Sequence, residues 1–546
     1  MSAPDLARGP THDVDVLVVG YGPVGAALAG LLGVYGVRTL VVDKAPDLFM
    51  APRAIALDNE ALRILQSVGL ADTAFAKVAI PFVKMHSPRL GQFAQIETAG
   101  TIDGHPKLVT FYQPELERAL RAHAERHACV TARVGLEMIA LAQDDDGVDV
   151  TLRSASGESR VRARYVVGAD GASSRTRALL GLDFEGETYP EDWLIVDATG
   201  VPDNIDHVEF LCDPDRPTPH MVAPGGRTRW EFMLRAGETR EEMESDAKVA
   251  ELLAPWLRGG AARIERKAVY RFHARACRAF GEGRVFLAGD AAHVTPPFVG
   301  QGLVAGLRDA VNLAWKLAWV VSGQAASAIL ESYDRERRPH ASKMIALAKR
   351  MGTLVMPQSH ARAFLVHAAM ALARRAPAGR RFFDELGIKP PNAYPDGLFV
   401  EGGSRGLRGT WFPQGLLDVG TIVRSDDLLG PSLALVGLGR DPHPHLSEAT
   451  LARWSRAGGR VVHVGARGAA CPAEDLEGRL VPGLAPHGSC VVVRPDRTIL
   501  HDGSVERAEQ LVDEALALLR RERGGGPIAR AKGRGQYSPS SATRAG

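Results

Sequence analysis

Cysteine is scarce in this sequence, and no two cysteines are spaced for joint use. Five occur in 546 residues, an odd number without a Cys-x-x-Cys pair. A disulfide framework needs paired cysteines and a structural zinc site needs closely spaced ones, so we expect neither a disulfide nor a metal site. The expected state is five reduced, buried thiols: Cys129, Cys212, Cys277, Cys471 and Cys490.

Long apolar runs and an excess of one charge are also missing. Lys and Arg total 66 against 64 Asp and Glu, a net charge of +2 that gives no reason to expect a nucleic acid or an acidic membrane as partner. The most apolar helical stretch, 302–321, is interrupted by Arg308, Asp309 and Lys316, whereas a membrane span needs about 20 apolar residues. The N-terminus lacks the pattern of a signal peptide, so the expected location is the cytoplasm.

What is present is an ordinary globular composition on a long chain. Hydrophobic residues make up 45% and charged residues 24% of the sequence, which are usual values for a globular protein. A single hydrophobic core rarely serves more than about 250–300 residues. We therefore expect two or three domains.

A glycine-rich turn near the N-terminus lies between a predicted strand and a predicted helix. The apolar run 14–19 predicts a buried parallel strand, and residues 26–32 predict a helix directly after the motif at 20–25. A second predicted strand, 38–42, ends at Asp43. Strand, glycine turn, helix and strand in this order predict a βαβ unit that binds a dinucleotide.

Each residue of this unit has a distinct task. The first glycine makes the tight turn, the second lets the backbone approach a pyrophosphate, and the third lets helix and strand pack closely. The helix N-terminus faces the phosphates, and an acid about 20 residues further on accepts hydrogen bonds from a ribose. The predicted contacts are Gly20, Gly22, Pro23, Gly25 and Asp43. Alone, this motif specifies only some dinucleotide.

Two further motifs narrow the class of dinucleotide-binding protein. Residues 165–174 are Tyr-Val-Val-Gly-Ala-Asp-Gly-Ala-Ser-Ser, and residues 284–293 are Arg-Val-Phe-Leu-Ala-Gly-Asp-Ala-Ala-His. Pro296-Pro297 and Gly300-Gln301-Gly302 follow the second of them. Three such motifs in this order resemble the aromatic-ring hydroxylase family, the single-component FAD monooxygenases. The likeness runs from about residue 14 to about residue 500.

The resemblance implies which residues hold FAD. In the family the first motif holds the ADP part, the aspartate-glycine motif lies near the pyrophosphate, and the glycine-aspartate motif contacts the ribityl chain and pyrophosphate. The loop at 296–302 is expected to face the flavin, and His293 is expected to be structural. Beyond the first motif, the residues predicted to bind the cofactor are Lys44, Arg53, Gln113, Asp170, Gly171, Gly289, Asp290, Pro297, Gly300, Gln301 and Gly302.

The resemblance also implies the architecture. We expect an α/β chain with a Rossmann-like FAD-binding domain of the glutathione-reductase type, an inserted β-sheet substrate domain and a thioredoxin-like C-terminal domain. The expected segments are the first part of the FAD-binding domain at 14–187, the substrate-binding insert at 188–272, the FAD-binding return with a helical region at 273–400, the C-terminal domain at 401–523 and a disordered tail at 524–546. Because the C-terminal domain lacks Cys-x-x-Cys, we expect no redox role for it.

The reaction that the resemblance implies is ortho-hydroxylation of a phenol by O2, with FAD and either NADH or NADPH. Stretches such as 52–55, 212–217 and 231–239 are similar to the branch that hydroxylates 3-(3-hydroxyphenyl)propionate and 3-hydroxycinnamate in aromatic catabolism. A phenolate is attacked faster than a phenol, so a base or proton relay is expected, and the predicted catalytic residues are Pro297, His220 and Tyr270. The candidates for this group are His220, Tyr189, Tyr270 and His273, and those for a cation that binds a substrate carboxylate are Arg216, Arg227 and Arg229.

Other functions stay open. The same fold and flavin serve hydroxylases of other phenols, of resorcinols or of polycyclic, polyketide-like aromatics, and a non-catalytic flavin-binding regulator is an alternative of a different class. A flavin halogenase is disfavoured because no Trp-x-Trp-x-Ile-Pro stretch occurs. The expected partners are a small phenolic molecule and O2, with the chain acting as a monomer or homodimer.

Overall fold

The computed structural model describes residues 12–50, 53–202, 204–357, 359–374, 389–401 and 406–521. The predicted C-terminal tail at 524–546 lies outside these residues. The strands are β1 (Val14–Val19), β2 (Thr39–Asp43), β3 (Ala56–Asp58), β4 (Lys77–Ala79), β5 (Phe82–Ser87), β6 (Gly91–Glu97), β7 (Thr101–Ile102), β8 (His105–Pro106), β9 (Leu108–Phe111), β10 (Val130–Val134), β11 (Glu137–Gln143), β12 (Val148–Ser154), β13 (Gly157–Gly168), β14 (Phe184–Thr199), β15 (Val208–Leu211), β16 (Thr218–Ala223), β17 (Arg227–Met233), β18 (Arg263–Cys277), β19 (Gly281–Glu282), β20 (Val285–Leu287), β21 (His293–Val294), β22 (Leu416–Asp418), β23 (Ile422–Arg424), β24 (Leu433–Leu438), β25 (Gly459–Val464), β26 (Glu474–Asp475), β27 (Ser489–Val493) and β28 (Ile499–Ser504).

The helices alternate with these strands in the first and last parts of the chain. They are α1 (Pro23–Val34), α2 (Asn59–Val68), α3 (Gln113–Ala124), α4 (Arg175–Leu179), α5 (Arg240–Met243), α6 (Asp246–Leu257), α7 (Gly302–Val321), α8 (Glu331–Val355), α9 (His360–Ala373), α10 (Ser425–Leu429), α11 (Glu448–Arg456) and α12 (Ala508–Arg520). None of the helices described is both long and apolar enough to cross a bilayer. All five cysteines are described and free, three of them buried and two partly exposed.

The first sheet has the order β10-β2-β1-β13-β12-β11, with β20 beside β13 and β19 beside β20. Strands β10, β2, β1, β13 and β20 run parallel. The central strand β1 lies between two neighbours and is covered on both faces, which is why its sequence is a continuous apolar run. The strands and helix predicted around the glycine turn are therefore confirmed as β1, α1 and β2.

The second sheet has the order β21-β18-β14-β17-β16-β15-β5-β6. The segment 188–272, expected to be a β-sheet insert, contributes most of β14 and β18 and all of β15, β16 and β17. The sheet also takes in β5, β6 and β21, which lie outside the segment 188–272.

The two faces of this sheet follow from strand alternation. One face, here called the inner face, carries Asp197, Arg229 and Tyr270, and the other, the outer face, carries His220 and Trp230. The outer face packs against α5 and α6, whose Met243, Val249 and Leu253 complete an apolar cluster with Trp230 and Phe232.

The C-terminal part forms a four-stranded sheet of order β25-β24-β27-β28, in which β24 and β25 are parallel and the other pairs antiparallel. A fully buried ionic cluster joins it to α7 and α8. Glu336 on α8 accepts hydrogen bonds from Lys316 Nζ at 2.8 Å and from two nitrogens of Arg494 at 2.7 and 2.9 Å. All three side chains are completely buried, so the carboxylate offsets two cations that water cannot reach.

We expect Glu336→Gln to lower the free energy of unfolding by about 3–5 kcal/mol, because it leaves two buried cations without their shared anion. Urea denaturation of the purified protein measures this change. The matched control is Glu158→Gln, which breaks an exposed pair with Arg153 at 3.3 Å and is expected to leave the midpoint unchanged. Equal midpoints for the two variants would contradict the role of the cluster.

Candidate active site

The turn after β1 touches the aspartate-glycine motif through its backbone. Gly20 has φ +103°, and a Cβ there would lie 2.3 Å from the carbonyl oxygen of Ala169. A Cβ on Gly25 would lie 2.0 Å from the carbonyl oxygen of Gly20. A Cβ on Gly22 would meet no protein atom within 4 Å. Two of the glycines are therefore needed for packing, whereas Gly22 borders open space at the start of α1.

Asp43 fixes the same turn from the end of β2. Its Oδ2 accepts a hydrogen bond from the Tyr21 backbone N–H at 2.7 Å, and its Oδ1 accepts one from Ala45 N–H at 2.8 Å. A carboxylate has about four acceptor positions, so both oxygens can still accept from a ribose. Lys44 is exposed beside it and forms no hydrogen bond with a described residue.

The carboxylate of Asp170 is occupied within its own motif. It accepts hydrogen bonds from Ser174 Oγ, from Thr176 N–H at 2.9 Å and from Thr176 Oγ1 at 3.0 Å. These bonds shape the turn that brings Gly171, with φ +80°, next to the first glycine motif. The predicted cofactor contact of this motif is thus best made through the backbone of Gly171.

Asp290 lies in a 3₁₀ turn after β20 and has a different environment. Its carboxyl forms no hydrogen bond or ion pair with any residue in the described ranges, and burial raises its pKa, a shift that Arg53 and His293 oppose. Gln113, by contrast, uses its Oε1 to accept from Arg53 N–H at 3.0 Å and Ala54 N–H at 2.9 Å. Gln113 therefore positions the segment at Arg53, while Asp290 has acceptor positions available for a ligand.

A single buried carboxylate holds the glycine-aspartate motif in place. Asp309 on α7 is fully buried and accepts from Gly289 N–H at 3.0 Å, lies 2.7 Å from His293 Nε2 and accepts from Arg337 Nε at 2.8 Å. Burial disfavours its charged form, but His293 and Arg337 outweigh that effect and hold the pKa of Asp309 below its ordinary value. His293 is accordingly placed as a structural residue.

The loop predicted to face the flavin is fixed at both ends. Pro297–Val299 is a 3₁₀ turn, and Gly300 at φ +62° ends it. The side chain of Gln301 is tied to Asp58 at 3.1 Å and to Arg308 at 3.2 Å, so it shapes the loop from inside. Pro297 has no ionisable group and can act in catalysis only by position.

Phe298 carries this loop onto the inner face of the second sheet. Its ring lies 6.0 Å from Trp193, 6.1 Å from Phe272 and 5.9 Å from Tyr189, measured between centroids. The inner face, and not the outer one, is therefore opposite the loop that begins α7.

A chain of charged side chains crosses the inner face. Asp197 accepts from two nitrogens of Arg229 at 2.7 and 3.0 Å and from Arg266 at 3.3 Å. Arg266 also donates to the hydroxyl oxygen of Tyr270, and Arg229 donates to the carbonyl of Arg53 at 3.1 Å. The guanidinium of Arg53 lies 6.0 Å from the centroid of the Tyr270 ring. This chain links the sheet to the segment that Gln113 positions.

His220 lies on the face of the second sheet that is turned away from the Phe298 loop. Its ring stacks on Trp230 at 5.1 Å and lies 6.1 Å from Trp256 of α6, on the outer face. Because side chains alternate along a strand, His220 lies on the opposite side of the sheet from Phe298. The sequence alone did not show which side His220 would take.

The remaining candidate bases differ in position and in the contacts of their side chains. Tyr270 and Tyr189 both lie on the side of the Phe298 loop, whereas His273 is spent on a 2.9 Å contact with Thr188 Oγ1. Because the Tyr270 oxygen accepts from a guanidinium, its own O–H is left to donate to a ligand.

Two of the three candidate cations hold other parts of the chain. Arg216 donates to the carbonyl of Met233 at 2.8 Å and to Glu238, which fixes the loop before β16. Arg227 donates to Glu265 at 2.7 Å. Arg229 lies centrally on the inner face, where it is paired with Asp197.

These residues fit a dinucleotide such as FAD. The N-termini of α1 and α7 have no side-chain cap and no acid in the first turn. The two helices approach so closely that a Cβ on Gly306 would lie 2.5 Å from Val24. Two uncapped helix N-termini, the open space at Gly22 and the unpartnered Asp290 together suit a pyrophosphate and its attached hydroxyls.

Family comparison agrees with this geometry. The family described as FAD binding domain matches residues 13–348, and the family described as HcaD C-terminal domain matches residues 409–518. The 3-(3-hydroxy-phenyl)propionate/3-hydroxycinnamic acid hydroxylase of Comamonas testosteroni is 34% identical over 95% of this chain and 99% of its own. The corresponding hydroxylase 2 of Burkholderia vietnamiensis is 37% identical over 89% of this chain and 92% of its own.

Solved structures share the fold. A ternary complex of aklavinone-11 hydroxylase with FAD and aklavinone has a TM-score of 0.77 at 25% identity, covering 94% of this chain and 100% of that one. The flavin-dependent monooxygenase PieE, in complex with FAD and substrate, has a TM-score of 0.79 at 21% identity, which shows the fold alone.

The matched family and these relatives define a flavin-dependent aromatic hydroxylase. The chain belongs to the FAD-binding family of aromatic-ring hydroxylases. The predicted fold class and the FAD cofactor are thereby confirmed, while the individual contact residues and the segment boundaries stay predictions.

Several residues that shape the site were not predicted from the sequence. Asp309 anchors the loop, Asp197 anchors the inner face, and Glu231 is buried on that face two residues after Arg229. The only local signal was a charged residue inside an otherwise apolar helix or strand. Such a residue is rarely buried without a partner or a function.

The variant Gly22→Ala separates cofactor binding from folding. Gly22 has φ −69° and its Cβ position is open, so we expect the apoprotein to keep its unfolding free energy. The methyl group would occupy the space where a pyrophosphate approaches, so we expect FAD to bind roughly tenfold more weakly or worse. FAD titration and urea denaturation of the apoprotein measure the two effects. Gly25→Ala is the matched variant that loses both, and an unchanged FAD affinity in Gly22→Ala would contradict the placement.

Proposed function

We propose that this chain hydroxylates a small phenol ortho to its hydroxyl group, using O2 and NADH or NADPH. The proposed substrate is 3-(3-hydroxyphenyl)propionate or 3-hydroxycinnamate, and the product is the 2,3-dihydroxy compound. The observation that carries this proposal is the 34–37% identity to two hydroxylases with these printed substrates over 89–95% of the chain. The inner face supports it, because it combines aromatic side chains with a line of guanidinium groups.

The residues would divide the work as follows. FAD, when bound, supplies the redox chemistry and the activation of oxygen. The backbone at Gly22 and Gly171 and the carboxylates of Asp43 and Asp290 would hold it. The Phe298 anchor keeps the loop against the sheet and excludes water from the space between them, which a reactive oxygen species requires.

On the substrate side, Tyr270 would donate a hydrogen bond to the phenol oxygen, with Arg266 holding it in place. Arg53, whose guanidinium forms no hydrogen bond with a described residue, would meet the carboxylate of the substrate. A planar guanidinium binds a carboxylate in a bidentate manner, so an acidic side chain on the phenol suits this face.

The proposal is tested by nicotinamide consumption of the FAD-loaded protein with and without 3-(3-hydroxyphenyl)propionate. We expect strong stimulation by the phenol, with a dihydroxylated product in near-equal amount to the nicotinamide oxidised. Stimulation with hydrogen peroxide as the only product would mean that this phenol is an effector. No stimulation by any simple phenol would contradict the proposed substrate class.

A second candidate is a hydroxylase of a larger polycyclic aromatic, which the similarity to aklavinone-11 hydroxylase over 94% of the chain favours. The same assay with anthracyclinone-type substrates separates the two, because only one substrate class is expected to couple nicotinamide oxidation to product. A flavin-binding regulator would show no reduction of bound FAD by NADH or NADPH at all.

Tyr270→Phe is expected to lower kcat by about 10- to 100-fold, because the hydrogen bond to the phenol oxygen is lost while the ring is kept. Its matched control is His220→Asn on the outer face of the same sheet, for which we expect a kcat within about twofold of wild type. Steady-state assays of both variants at equal FAD content provide the comparison. A loss in His220→Asn as large as in Tyr270→Phe would contradict the assignment of faces.

A further inference from the structure

Glu231 is an acidic residue of the inner face whose carboxyl has no partner among the described residues. It lies on β17 opposite Ile195 of β14 and two residues after Arg229. Only 6% of its surface is exposed. On the same face, Met233 belongs to the apolar cluster around Phe298, and Met221 belongs to the cluster around Ile55. Glu231 therefore lies between the two apolar clusters that flank the centre of this face.

The carboxyl of Glu231 forms no hydrogen bond, and no ion pair within 4 Å, with any residue that the structure describes. Asp197, on the same face, forms ion pairs with Arg229 and Arg266, whereas Glu231 forms none with a described residue. A buried carboxyl without a hydrogen-bond donor is costly, and most buried polar groups have a partner. The Glu231 oxygens are not among the completely enclosed, unpartnered polar atoms of the described residues, so a ligand on the inner face can reach them and supply the donor.

The electrostatic surroundings suit a carboxyl that exchanges a proton. Burial raises the pKa of Glu231 above its ordinary value, and Asp197 acts in the same direction, while Arg229 and Arg266 oppose them. A carboxyl tuned upward in this manner accepts a proton better than an exposed one.

The position of Glu231 complements that of Tyr270. The two residues lie on strands β17 and β18, on either side of β14, with their side chains on the same face. Neighbouring strands are spaced about 4.8 Å apart, so β17 and β18, with β14 between them, are about 10 Å apart. The two residues are also offset by two positions along β14, opposite Ile195 and Trp193, and the span between them is wide enough for an aromatic ring. A phenol hydroxyl both donates and accepts hydrogen bonds, so it can accept one from Tyr270 and donate one to Glu231.

We propose that Glu231 contacts the bound phenol and accepts the proton of its hydroxyl group. In this step the phenol O–H bond breaks, an O–H bond forms on the Glu231 carboxylate, and the electron pair stays on the phenolate oxygen. The carboxylic acid returns the proton when the product hydroxyl forms again. The inference rests on the proposed function, since it needs a phenol on the inner face.

The test compares Glu231→Gln with Glu209→Gln, a glutamate on the outer face beside His220. Both are loaded with FAD and assayed with 3-(3-hydroxyphenyl)propionate and with ring-fluorinated analogues whose hydroxyls are more acidic. For Glu231→Gln we expect kcat to fall about 100-fold or more with the parent phenol and the deficit to shrink steadily as the hydroxyl becomes more acidic. Glu209→Gln is expected to match wild type throughout.

A second readout does not depend on turnover. Ultraviolet difference spectra of the oxidised protein report whether the bound phenol is ionised. We expect a phenolate band with wild type and with Glu231→Gln a neutral phenol at the same pH. A Glu231→Gln variant with wild-type kcat, or with the same deficit for every phenol and an unchanged difference spectrum, would overturn the inference. If wild type itself hydroxylates none of these phenols, the proposed function fails and takes the inference with it.

Discussion

The buried carboxylate of Asp309 is the interaction on which the arrangement of the flavin site depends. One side chain on α7 receives the backbone N–H of Gly289, contacts His293 and pairs with Arg337 of α8. A charge in this position is tolerated only because it is fully paired and hydrogen-bonded. The same contacts fix the turn that carries Asp290 and the start of the loop that faces the second sheet, so packing and cofactor geometry share one anchor.

The second physical theme is the alternation of side chains along the strands of the large sheet. The outer face packs against α5 and α6. The inner face faces the Phe298 loop and bears Asp197, Arg229, Arg266 and Tyr270 in one connected chain. Asp197, Arg229 and Arg266 are stable in the middle of the sheet because they pair with one another. The face can thus remain rigid and polar while apolar clusters on both sides keep water out.

Local patterns predicted much of this fold. The apolar run at β1, the glycine turn and the strand β2 were visible because each is encoded by neighbouring residues. The addition of β5 to the sheet beside β15 was not, since it joins residues 82–87 to residues 208–211. Whether His220 or Tyr270 lies on the inner face depends on which residues of β16 and β18 point to that side. Only the strand register shows this. Glu231 was visible in the sequence only as an acid between Trp230 and Phe232, in a strand that also holds Arg227 and Arg229.

The measurement that tests this account most directly is a crystal structure of the FAD-loaded protein with 3-(3-hydroxyphenyl)propionate. The account predicts the pyrophosphate at Gly22, the flavin ring against the loop at Pro297, and the phenol on the inner face with its hydroxyl between Tyr270 and Glu231. A phenol bound on the outer face, at His220, or away from the Phe298 loop would contradict it.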